Sequence, residues 1–176
     1  MNANTLGNIR HNVLQTMEKN YVSEMVPAIL SEKDENGVEI LTVDLFSFAE
    51  DGFDADGEFF FLPSSEEDEI QFFINLITIS ENLPDANLSE LCVAVSAINT
   101  YVVTGAFAID PVAKSLIYKH SYEMMITEDE AKTLEDAELS MGTALEMVSN
   151  YAYMLVEVNE GKRSAESVIR MFADME

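Results

Sequence analysis

Apolar positions along this chain recur at two periods. Over residues 5–19, Leu6, Ile9, Val13 and Met17 fall three and four apart, which predicts an amphipathic helix. Tyr21 to Leu30 is ambiguous: its composition continues the helix, but Pro27 argues against a helix interior and favours an edge strand. Asp34-Glu-Asn-Gly37 reads as a turn, with Asn-Gly as a hairpin signal. Val38 to Phe46, β-branched and partly alternating, reads as a strand. Residues 50–58 predict an acidic, glycine-containing loop, and Phe59 to Leu62 a short strand ended by Pro63. Ile70 to Ile79 is apolar at both parities, the pattern of a central strand covered on both sides.

In the second half, Asn87 and Glu90 have the spacing of a reciprocal cap, opening a helix that runs to about Tyr101. Leu88, Leu91, Val95 and Ile98 share one side of it. Two strands follow, Val102 to Ile109 and Lys114 to Met125, joined by a turn at Asp110-Pro-Val-Ala. Thr127 and Glu130 form a second capping box, which starts the longest helix. Ala131, Leu134, Met141, Leu145, Val148, Ala152 and Leu155 make its apolar stripe, and Gly161 is its stop. Ser164 caps a last helix, whose apolar side is Val168, Ile169, Phe172 and Met175. With residues 21–31 left open between strand and helix, the order is α-β-β-β-α-β-β-α-α. Short hairpin connections imply an antiparallel sheet with packed helices, an α+β fold. No internal repeat or Pro- or Ser-rich linker divides the chain, so 1–176 reads as a single acidic domain.

Composition changes this picture mainly through charge. Apolar residues make up 48% of the 176, enough for a core, while 33 Asp and Glu face 9 Lys and Arg, a formal net of −24. Such a field repels phosphate backbones and anionic lipid, so neither nucleic acid nor membrane is an expected partner. It attracts basic proteins and divalent cations, and its simplest consequence is solubility. The N-terminal residues lack the basic and apolar regions of a secretory signal. The apolar runs are too short and interrupted to span a membrane, so a cytoplasmic location is expected.

The search for reactive chemistry returns little. There is no glycine-rich phosphate loop and no Gly-x-Ser-x-Gly elbow. His11 and His120 belong to no spaced ligand motif, and Cys92, among Leu91, Val93, Ala94 and Val95, reads as an inert core thiol. Asp54, Asp56 and Gly57 imitate part of a calcium loop, but Gly52 and Pro63 would occupy its first and twelfth positions, where carboxylates are required. Glu50, Asp51, Asp54, Asp56 and Glu58 are left with weak, non-specific cation affinity at most. The run Glu66 to Glu69 reads as a gatekeeper beside an apolar strand, or as the acidic rim of a groove for a basic-apolar peptide. Ten methionines fill core gaps or form a surface that repacks around partners. No catalytic, cofactor or metal residue is assigned, and a non-enzymatic protein is expected.

The stretch Ile70-Gln-Phe-Phe-Ile-Asn-Leu-Ile, the Asn87-Leu-Ser-Glu-Leu helix, the pair Tyr101–Ile109 and Lys114–Met125, and the threonine-led long helix together resemble the YbjN-like group. That group shares the fold of type III secretion chaperones. The resemblance spans roughly residues 5–158, and the chain departs from it around Phe59–Leu62 and after Gly161. It implies a small acidic homodimer that holds an extended client segment against apolar patches. The resulting expectation is a chaperone-like, protein-binding module with a protein client, whose candidate interface residues are Phe72, Ile74, Leu76, Leu88, Leu91, Val95 and Ile98. The rival expectation is an immunity-type neutraliser that masks a basic protein partner.

Overall fold

The computed structural model describes residues 1–48, 52–62 and 69–173. They form α1 (Ala3–Ser23), β1 (Ala28–Leu30), β2 (Leu41–Phe48), β3 (Phe53–Leu62), β4 (Ile70–Ser80), α2 (Leu88–Ile98), β5 (Ala106–Asp110), β6 (Ser115–Met125), α3 (Glu130–Asn159) and α4 (Ala165–Ala173). The strands make one antiparallel sheet in the order β1-β2-β3-β4-β6-β5, so the fold is α+β as expected. Four strands, not three, precede α2. The extra one resolves the ambiguous segment: α1 continues to Ser23, Met25 turns the chain with a positive φ of 64°, and Pro27 leads into a three-residue edge strand. The acidic stretch expected to be a loop is strand from Phe53 onward, because its even positions alternate with buried Ala55, Gly57 and Phe59. Glu50, Asp51, the run 66–68 and Met175 lie outside the described residues.

Two compact units divide the chain. The first comprises Met1–Leu45, Asp56–Leu76 and His120–Thr143. Here Asn2 caps α1 by accepting from the Thr5 backbone N–H, and the predicted stripe Leu6, Ile9, Val13 and Met17 is buried. Glu18 accepts the Leu30 N–H at 2.8 Å, tying the edge strand to the helix. Asp34 accepts from the backbone of Asn36 and Val38, which holds its carboxyl below the usual range and closes the expected turn. Leu41, Val43, Phe59, Phe61 and Phe73 complete this core, with the Phe61 and Phe73 rings 5.0 Å apart. The start of α3 is capped differently from expectation. Asp129 accepts from Lys132 N–H, while Thr133 accepts from Thr127 N–H, so Thr127 and Glu130 form no reciprocal pair. The buried stripe of α3 in this unit runs through Thr133, Ala137, Ser140 and Met141, whereas Ala131 is exposed.

The second unit comprises Phe46–Ala55, Ile77–Lys119 and Ala144–Glu176. The predicted Asn87–Glu90 cap does not form. Asn87 Nδ2 donates to the Asn159 carbonyl at the end of α3, and Glu90 accepts the Ala165 N–H at the start of α4. One turn of α2 thus satisfies the loose backbone groups of two other helices. Gly161 ends α3 with a φ of 71°, and Ser164 caps α4 by accepting from Ser167 N–H, both as expected. Tyr101 stacks on Phe172 at 4.3 Å, while Ile169, expected on the apolar side of α4, is exposed. Gly105 is required where it stands: its φ is 68°, and a Cβ would collide with the Tyr118 hydroxyl. That hydroxyl donates to the Thr104 carbonyl, and burial pushes its pKa up to about 12.

Candidate functional site

Within the first unit, β4 carries its residues the wrong way round for a surface strand. Gln71, Phe73 and Asn75 are fully buried, while Ile70 is 44% and Phe72 38% exposed. Leu76 is half-buried, and Ile74, at the same parity, is covered. The expected cover on both sides therefore holds from Ile74 onward and fails at the start of the strand, where the odd side is sealed but Ile70 and Phe72 on the even side are open. The Ile126 N–H donates to the Glu69 carbonyl at 2.8 Å, which fixes the pairing of β6 against β4. Carried inward, that pairing sets Ile70 opposite Met125, Phe72 opposite Glu123 and Asn75 opposite His120. Met125 is 57% exposed, and Leu62 at the end of the adjoining β3 is 46% exposed. Leu62, Ile70, Phe72 and Met125 thus form an exposed apolar group on three neighbouring strands.

Partners far away in sequence seal the opposite side. Arg10 Nη1 donates to Gln71 Oε1 at 3.0 Å, and Asn75 Nδ2 donates to Ser140 Oγ at 2.9 Å. Buried His120 faces the same serine. Desolvation lowers its pKa, and hydrogen bonding to the Ser140 backbone partly opposes that shift. Among the described residues, Asn75 Oδ1 and His120 Nδ1 find no partner. The cluster is buried: Asn75 is fully covered, His120 is 6% and Ser140 2% exposed. His11, the other histidine, pairs with Glu39 at 2.8 Å.

The predicted interface residues separate into two groups. Phe72 is on the surface, and Leu76 and Leu88 are half-buried. Ile74 on β4 lies in the core, and so do Leu91, Val95 and Ile98 of α2, because a stripe at helical spacing is the side a helix packs with. The outward side of α2 instead presents Val93 and Cys92, and the cysteine expected to be an inert core thiol is exposed. Ile70, Met125 and Leu62 were missed. The available signal was Gln71 and Asn75 sharing one parity of an otherwise apolar strand, which fixes a second, wholly apolar side. The methionines serve in both ways: Met17, Met124, Met141 and Met154 are core, while Met25 and Met125 are exposed.

Other chemistry is sparse. Among the described residues, no group of three or more His, Cys, Asp or Glu side chains comes together as a metal site. A pocket of about 380 Å³ in the second unit lies between Gly52–Phe53 and the end of α3. Its carboxylates are answered by cations: Glu160 pairs with Lys162 and Glu157 with Arg163, each at 2.6 Å. Among the described residues no helix is long and apolar enough to cross a membrane. Fold and surface together define an α+β protein that exposes an apolar strand side. No protein-family model matches this chain, and no curated protein matches it either.

Proposed function

We propose that this protein is a non-enzymatic, chaperone-like binding module that holds an apolar client segment on the exposed side of β4 and β6. The observation that carries the reading is the inversion of β4, with Ile70 and Phe72 exposed while Gln71 and Asn75 are buried. Exposed apolar side chains clustered on neighbouring strands mark interaction surfaces more often than they serve the stability of the chain that bears them. The resemblance of the sequence to the YbjN-like group, which shares the fold of secretion chaperones, is in keeping with the same reading. The test is suppression of aggregation of a chemically denatured model protein by stoichiometric amounts of the full chain. Wild type should suppress it and Phe72→Ser should not; equal behaviour of the two would remove the reading.

The net charge of −24 favours a second reading, an acidic neutraliser of a basic protein. Neutralisation should collapse when salt is raised, because exposed charges are screened within about 10 Å at 0.1 M. Holding an apolar segment should persist.

A further inference from the structure

The exposed side of the first unit's strands has a charge pattern as well as an apolar centre. Alternation with buried Leu41, Val43, Gly57, Phe59, Phe61 and Met124 turns Asp44, Asp56, Glu58 and Glu123 outward, on the same side as Phe72 and Met125. Phe72 stands opposite Glu123 in the β4–β6 pairing derived above. Among the described residues, the outward positions of these strands within the unit hold no lysine or arginine, and the nearest outward cation along β6 is the exposed Lys119. An apolar centre rimmed by carboxylates selects against one occupant and for another. A second copy of this chain would bring two such rims together, Asp44, Asp56, Glu58 and Glu123 from each with Lys119 as the nearby cation on β6, and an excess of like charges set against each other is unfavourable. A segment whose apolar residues are flanked by lysines or arginines would cover Phe72 and Met125 while its cations meet Glu123, Glu58 and Asp44.

We infer that the client of this surface is an apolar segment with basic flanks, an inference that rests on the binding reading above. The first unit's sheet surface is thus a selective site, in which Phe72 and Met125 provide the grip and the carboxylates choose the flanks.

The test uses the full chain and two labelled synthetic peptides that share one apolar centre, one flanked by lysines and the other by glutamates. Fluorescence anisotropy at low salt should show the lysine-flanked peptide binding roughly tenfold tighter or more, equivalent to about 1.4 kcal/mol. The gap should narrow as salt is raised. Phe72→Ser should weaken both peptides, whereas the pair Asp44→Asn and Glu123→Gln should narrow the gap and leave the residual affinity. Met125→Ser, on a different strand, repeats the first arm should Phe72→Ser fail to fold, as read from its denaturant midpoint. Equal affinity for the two peptides overturns the inference and leaves the binding reading standing. No binding of either peptide overturns both. A dimer in light scattering that Phe72→Ser returns to monomer shows the surface taken by a second copy, and likewise overturns the inference.

Discussion

The two sides of β4 at its start, before Ile74 is covered, are built from opposite materials, and each is in the other's usual place. The sealed side holds Gln71 and Asn75 around Phe73; the open side holds Ile70 and Phe72. Burying an amide costs free energy unless it is hydrogen-bonded, and exposing a phenylalanine forgoes burial that would stabilise the fold. By these two terms alone, exchanging the sides would suit the isolated chain better. What holds the observed arrangement is specific: Phe73 against Phe61, Gln71 on Arg10 and Asn75 on Ser140. The sealed side is therefore committed to the fold, and the open side is free for another purpose.

The largest expected contrast is between the adjacent phenylalanines. Phe73→Ala removes a fully buried ring and should cost about 3–5 kcal/mol in urea unfolding. A loss as small as that of Phe72→Ala would mean that the two sides are not distinct. Next in size is the amide network. Ser140→Ala strips the acceptor from Asn75 Nδ2 in a dry site and should cost about 1–3 kcal/mol. Adding Asn75→Leu to it should recover part of that loss, since neither partner then remains unsatisfied. A purely additive double variant would show that the pair does not act together.

Much of the framework is legible in the sequence. The α1 stripe, the turn at Asn36-Gly37, the Gly161 stop and the Ser164 cap all depend on neighbours within a few residues, and local chemistry decides them. The side of β4 that is sealed depends on Arg10 and Ser140, 61 and 65 residues away from their partners. Pattern alone reads Ile70 to Ile79 as covered on both sides, and tertiary partners decide that the side with Gln71 and Asn75 is the one sealed at its start. The caps failed for the same reason: Asn87 and Glu90 have the right spacing, but Asn159 and Ala165 claim their side chains. In α2, periodicity found the apolar stripe correctly, but it marked what the helix buries, not what it offers.

The sealed side also predicts a pH response. An unfolded histidine titrates near pH 6.5, and burial holds His120 below that value in the fold. Between the two values the unfolded chain binds more protons, so stability rises with pH there. It is fully present above about pH 6.5 and declines as pH falls through that value toward the lower folded pKa. The polar partner of the ring is the uncharged Ser140 backbone, and the Tyr122 ring is 6.3 Å away. His120→Gln should therefore flatten the urea midpoint between about pH 7.5 and pH 5.5, leaving only the response shared with the carboxylates. Parallel profiles for wild type and variant would remove His120 from the account.

The smallest stability effect belongs to Phe72, and it is the most informative. Its ring gives the fold only part of its area, so Phe72→Ser should shift unfolding by about 1 kcal/mol or less. The same substitution should abolish suppression of client aggregation. A residue that served packing would show the reverse proportion, a large loss of stability with function lost only through unfolding. Measuring both quantities on one preparation separates the cases. A drop of several kcal/mol would place Phe72 with Phe73 on the sealed side, and the inversion of β4 would no longer argue for a binding surface.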